Sequence, residues 1–161
     1  RGRMNILKGV NDSVVIDDTY NASPVAMEEG FRSVEVLEVA GRKIAILGDM
    51  LDLGRHSASE HQRLGEFAGK IFEDIITVGI RAKEMKESVI KSGIDPTHVV
   101  CFDTSSEAGE YLKSFIKKDD LIYVKGSQGM RMERVVEKIM LNPKDKAKLL
   151  VRQEEEWVKK A

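Results

Sequence analysis

Short apolar runs alternate with amphipathic stretches along most of this chain. Ser13–Asp17, Lys43–Leu47, Asp74–Val78, Val99–Phe102 and Leu121–Val124 are rich in Val and Ile and close at or beside Gly or Asp. Their nearly continuous apolarity predicts strands buried on both faces, as in a parallel sheet. Between them the apolar residues recur at helical spacing: Met27, Phe31 and Val34; Leu64, Ala68 and Ile71; Met85 and Val89; Ala108, Tyr111, Leu112 and Phe115; Met132, Val135, Val136 and Ile139. Each set gives one apolar stripe per helix. Start signals accompany the stripes. Ser23 is placed to cap a helix with Pro24 at its first position, and Ser57 with Glu60, like Thr104 with Glu107, has capping-box spacing. Gly93, with Pro96 beyond it, marks the end of the third helix.

The pattern is strand then helix, five times over, which predicts an α/β fold: a Rossmann-like three-layer domain with a mostly parallel sheet of about six strands. Arg3–Lys8 supplies the sixth strand. Gly9, Asn11 and Asp12 provide turn chemistry before Ser13, so that strand should pair antiparallel as a hairpin partner. The expected organisation is one domain over residues 1–141, followed by a charged tail at 142–161 that forms a terminal helix packed by Trp157.

Composition narrows the function classes. The 161 residues carry 26 basic and 27 acidic side chains for a net charge of −1, which argues against a general nucleic-acid grip. Cys101 is the only cysteine, so no internal disulfide forms and a reducing, cytoplasmic setting is the simpler expectation. No 18-residue apolar run suggests a membrane span. The chain starts at Arg1 and not at Met, the expectation being a piece of a longer protein.

The candidate chemistry lies at strand ends. Asp17 and Asp18, with Tyr20 and Asn21, follow the first parallel strand; Gly48, Asp49 and Met50 follow the second, Gly79 the third, and Lys125, Gly126 and Ser127 the fifth. In a parallel sheet these segments share the carboxyl edge, where open α/β sheets bind ligands. An Asp there accepts ribose hydroxyls at nucleotide sites, or serves only the local turn. Neither G-x-G-x-x-G nor G-x-x-x-x-G-K-[ST] is present, so both usual phosphate cradles are missing. Gly126 and Gly129 resemble a phosphate loop with the wrong spacing, and a strand-to-helix loop needing backbone freedom accounts for them equally. His56, His61 and His98 share no metal-ligand spacing and are expected at the surface or in supporting roles. Cys101 is expected to be a small buried hydrophobe, and the methionines core filler apart from Met50.

Taken together, GRM at Gly2–Met4, IDDTYNASP at Ile16–Pro24, LGDMLDLG at Leu47–Gly54, the Ser57, Glu60 and His61 group, and VKGSQGMRME at Val124–Glu133 make the chain resemble the C-terminal domain of the Mur ligases over about residues 1–140. Ser23 stands where that family usually has Asn; both cap helices well. The resemblance implies a lid domain of an ATP-dependent carbon–nitrogen ligase of peptidoglycan precursor synthesis, in the branch that adds D-alanyl-D-alanine to UDP-muramoyl-tripeptide through an acyl phosphate. It implies ATP and Mg2+, with the phosphate loop and magnesium ligands in a central domain that, like the N-terminal one, lies outside this chain, and no catalytic or metal-binding residue within it. By position, Arg3, Asp18, Tyr20 and Asn21 fall to the nucleotide; Asp49, Lys125 and Ser127 fall to the incoming dipeptide. Two readings of other classes compete. One is a stand-alone receiver-like or nucleotide-sensing module with Asp49 as phospho-acceptor, by fold analogy; the other is an interaction domain with a solvated polar edge.

Overall fold

The computed structural model describes residues 1–160. Six strands form one sheet: β1 Asn5–Lys8, β2 Val14–Asp18, β3 Lys43–Gly48, β4 Asp74–Val78, β5 Val99–Phe102 and β6 Leu121–Lys125. Their order is β1-β2-β6-β3-β4-β5, with β1 antiparallel to β2 and every other pair parallel. Five main helices follow the parallel strands: α1 Pro24–Glu35, α2 Ser57–Gly69, α3 Met85–Lys91, α4 Ser105–Phe115 and α5 Glu133–Ile139. The sixth strand, its hairpin and the strand–helix alternation are those the apolar pattern predicts.

Two cores lie on the two sheet faces. One joins Met27 and Phe31 of α1, Leu64 and Ala68 of α2 and Met85 and Val89 of α3 to Ile16, Ala45 and Tyr123. The other joins Ala108 and Leu112 of α4 and Val135, Val136 and Ile139 of α5 to Val15, Ile44, Ile76 and Val124. Residues alternate between these faces along each strand, which is why the strands read as continuous apolar runs. β6 slots between β2 and β3, so the helices leaving β2 and β3 pack on one face and the helix leaving β6 on the other. That divergence opens a crevice at the carboxyl ends of β2, β6 and β3.

Local signals were realised unevenly. Ser23 Oγ accepts from Ala26 N at 3.2 Å and Thr104 Oγ1 from Glu107 N at 3.2 Å. The Ser57 and Glu60 box does not form. Ser57 already has helical φ −54° and ψ −55°, because a 3-10 turn at Gly54–His56 leads into α2; a capping residue needs extended backbone. Cys101 is only half-buried, since β5 is an edge strand. Met50, singled out as the exception among the methionines, is fully buried. The tail forms not one helix but two single turns, α6 Lys146–Leu149 and α7 Glu155–Val158. Buried Leu150, Val151 and Arg152 run between them. Ala161 of the predicted tail lies outside the described residues.

Candidate functional site

At the carboxyl end of the sheet, Asp18 stands opposite Lys125 in the β2–β6 register. Lys125 Nζ donates to Asp18 Oδ2 at 2.8 Å, and the pair is almost wholly buried. Tyr123 OH, on the same face two residues earlier, donates to the same oxygen at 2.7 Å. Tyr123 sits in an aromatic group with Phe31 and Phe72. Burial, and then the negative charge of Asp18, push its phenol well above the ordinary 10.0, so it stays a proton donor. Met4 N donates to Asp18 Oδ1 at 3.1 Å, which joins the segment before β1 to the rim.

Beside this carboxylate opens a cavity of about 230 Å³, lined by Arg3, Asp18, Tyr20, Asn21, Ser23 and Lys125 among others. The Arg3 guanidinium lies 4.2 Å from the centroid of the half-exposed Tyr20 ring, a cation–π contact that makes a flat, positively charged wall. Asn21 Oδ1 accepts from Gln128 N at 3.3 Å, tying the β2 loop to the β6 loop. The structure therefore gathers Arg3, Asp18, Tyr20 and Asn21 around one cavity. Lys125 joins them. Expected beside Ser127 on the dipeptide side, its ammonium bonds Asp18, and among the described residues no hydrogen bond links it to Asp49 or Ser127.

Asp49 and Ser127 build a second, adjoining unit. Ser127 N donates to Asp49 O at 2.9 Å, and Ser127 Oγ accepts from Leu51 N at 2.8 Å. Asp49 Oδ1 accepts from Ala82 N at 2.6 Å, and Arg81 Nη1 is 3.6 Å from Oδ2. Gly79 has φ +104°, and a side chain there would meet the Asp49 carboxylate, so glycine is required on both counts. Asp49 is itself buried. Its carboxylate shapes the loops and is not presented to solvent.

His61 holds this unit from below. Its Nε2 accepts from Met50 N at 3.0 Å, and its Nδ1 is 2.7 Å from Ser57 O. With Nε2 accepting, it is Nδ1 that donates to the Ser57 carbonyl. The signal was present in the sequence: His61 falls on the buried stripe with Leu64 and Ala68. His56 is exposed and His98 pairs with Asp74 at 2.8 Å at the opposite end of the sheet.

Among the described residues, no three His, Cys, Asp or Glu side chains cluster closely enough to hold a metal ion. Asp18 is engaged by Lys125, Tyr123 and Met4, and Asp49 by Ala82. These carboxylates do not fit a magnesium site. No helix among the described residues is long and apolar enough to cross a membrane.

Comparison with known proteins places this rim in context. The family described as Mur ligase, glutamate ligase domain, matches residues 2–128. UDP-N-acetylmuramoyl-tripeptide--D-alanyl-D-alanine ligase of Bacillus subtilis is 29% identical over 142 residues, covering 88% of this chain and 31% of the relative. The protein of the same name from Buchnera aphidicola is 34% identical over 139 residues, covering 84% and 28%. Among solved structures, MurF ligase from Thermotoga maritima in complex with ADP superposes with TM-score 0.68 at 28% identity, over 85% of this chain and 30% of that one. MurF from Acinetobacter baumannii gives TM-score 0.72 at 28% identity, over 84% and 30%. The chain thus spans under a third of the length of these relatives.

Proposed function

The chain belongs to the Mur ligase family, and from that premise we propose that it is the C-terminal domain of an ATP-dependent amide-bond ligase acting in the cytoplasm on peptidoglycan precursors. The whole enzyme would join D-alanyl-D-alanine to UDP-N-acetylmuramoyl-tripeptide, with this domain closing over an N-terminal domain and a central domain that supplies the phosphate cradle and the magnesium ligands. The observation that carries the reading is the Asp18 cavity. It combines an acidic acceptor, a buried ammonium and a cation-backed aromatic ring in one recess of about 230 Å³.

Each group suits part of an adenine nucleotide. Asp18 Oδ1 has accepted one hydrogen bond, from Met4, and a carboxylate oxygen takes about two, so one position remains for a ribose hydroxyl. Lys125 spends N–H bonds on Asp18 and retains positive charge beside the cavity for anionic oxygen. Arg3 and Tyr20 offer a stacking wall to the base. The adjoining unit at Asp49 and Ser127 suits the dipeptide. Ser127 Oγ already accepts from Leu51 and keeps its own hydrogen to donate to a carboxylate.

The reaction calls on this domain for alignment. The tripeptide carboxylate would take the γ-phosphoryl group of ATP and release ADP, the dipeptide amine would attack the carbonyl carbon of the resulting acyl phosphate, and the tetrahedral intermediate would lose a proton and expel phosphate. Holding nucleotide and amine on one rigid rim reduces the entropy cost of that encounter. The test is ATP affinity of the complete ligase with Asp18→Ala. Losing hydrogen bonds to a charged acceptor should weaken ATP by about 1.5–3 kcal/mol, roughly 10- to 150-fold. Unchanged affinity would remove Asp18 from the site. Phosphate release by this chain alone, given ATP, tripeptide and dipeptide, would overturn the lid assignment.

A further inference from the structure

The loop that forms the cavity wall is held from behind by residues outside the family match. Arg152 lies in the tail between α6 and α7, with a left-handed backbone at φ +56°. That is an uncommon state for a non-glycine residue, and it turns the buried guanidinium inward beneath the β2 loop. Its Nη2 donates to Thr19 O, its Nη1 to Tyr20 O at 3.0 Å, and its Nε to Glu133 Oε2 at 2.9 Å. Glu133, 1% exposed at the start of α5, takes Arg131 Nε on its other oxygen at 2.6 Å. Arg131, also left-handed at φ +55°, donates to Trp157 O at 2.8 Å. The Trp157 ring covers both guanidinium groups, with centroid distances of 5.3 and 5.9 Å.

A tail that only filled the core would need no more than Leu150 and Val151. Burying three charges is costly unless each is paired and hydrogen-bonded, and here the pairing ends on two consecutive carbonyls of one loop. Tyr20 is gripped on its other side as well, because its N–H donates to Gly2 O at 2.8 Å. The peptide flanked by these contacts carries the ring that Arg3 stacks on and leads directly into Asn21. A planar guanidinium fork fixes direction as well as position.

We infer that Arg152, oriented by Glu133, is a positioning residue for the nucleotide pocket, and that the tail acts as its strap. This rests on reading the Asp18 cavity as the nucleotide site. It adds that the pocket's shape depends on residues 150–158.

The test compares steady-state kinetics of the complete ligase with Arg152→Ala and Arg152→Lys. Both should raise KM for ATP about tenfold while leaving KM for the amine acceptor within about twofold, because the Asp49 and Ser127 unit has its own supports. Lysine keeps charge against Glu133 but lacks the fork for two carbonyls, so it should rescue melting temperature and not ATP KM. Unchanged ATP KM in either folded variant overturns the proposal, as does a parallel rise of both KM values. Failure of both variants to fold also overturns it, by making Arg152 a support of the fold alone. A wild-type ligase with no ATP-dependent activity would instead sink the underlying functional reading.

Discussion

Two buried carboxylates lie at opposite ends of β6, Asp120 just before its first residue and Asp18 against its last, Lys125, and they differ in how completely they are used. Asp120 takes Arg42 N and Nε on Oδ1, both at 3.1 Å, and Arg42 Nη2 at 2.6 Å and Lys117 N at 2.8 Å on Oδ2. All of its roughly four acceptor positions are filled. Asp18, at the other end of the same strand pair, takes three donors and has one position left. Cavity size does not separate the two ends: a groove of about 320 Å³ adjoins Asp120, against about 230 Å³ at Asp18. What separates them is unused bonding capacity on a charged group. A saturated carboxylate fastens the fold, and one with a free position facing a recess is equipped to bind.

The largest effect should come from Asp120→Ala. It leaves two backbone N–H groups without a partner and takes from the Arg42 guanidinium its main carboxylate, leaving it Phe115 O and Asp74, and breaking such a pair costs about 3 kcal/mol. Denaturant midpoints of the chain should fall accordingly, while the folded ligase keeps its ATP KM. Burial alone would raise the Asp120 carboxyl, but the Arg42 fork and the Lys117 and Arg42 N–H groups outweigh it and hold it below the ordinary 3.8. A depressed carboxyl contributes stability above its unfolded value and loses it as pH falls through the folded one. The loss on substitution should therefore shrink in strong acid. A change in ATP KM would break the division between the two ends.

A smaller effect separates the two halves of the rim itself. Ser127→Ala deletes the acceptor for Leu51 N, a loss of about 1–2 kcal/mol. Its kinetic mark should be a raised KM for the dipeptide with ATP KM unchanged, the mirror image of the Arg152 variants. Equal changes in both would show that the rim works as one unit.

Much of this was legible in the sequence. Val and Ile runs at regular spacing suffice to indicate the strands, because burial on both faces suppresses alternation. Asp18, Tyr20 and Asn21 were legible because they follow a strand whose direction the fold class fixes. The partner of Lys125 was not. Adjacency to Ser127 suggested the dipeptide side, yet alternate strand residues face opposite ways, and register with β2 brings Lys125 onto Asp18. The Arg131, Glu133 and Arg152 network was equally hidden. Arg152 and Thr19 are 133 residues apart in sequence, and the charged tail carries no periodicity that would reveal which of its charges turn inward. Ser57 illustrates the reverse error: a correct capping spacing lost to a 3-10 turn that the local pattern did not announce.

The finest comparison is between neighbours. Asp17 and Asp18 point to opposite faces of β2, and Asp17 lacks a cation. Its Oδ1 accepts from Thr19 Oγ1 at 2.6 Å and Thr19 N at 3.2 Å, while Oδ2 is buried without a hydrogen-bond partner. Burial pushes its carboxyl above the ordinary 3.8, and the Thr19 bonds only partly oppose that shift. The folded state therefore holds this proton more tightly than the unfolded one. The resulting stability is complete below the unfolded value and is lost as pH rises through the folded value. Asp17→Asn retains an oxygen for Thr19 and removes the ionisation. As pH rises from the ordinary 3.8 through the folded value, the wild-type chain should lose more stability than the variant. Denaturant unfolding of both proteins at a series of pH values measures this directly. Parallel profiles would mean that Asp17 ionises without cost, and that an unpaired buried oxygen is no more a liability on this face than the paired one beside it.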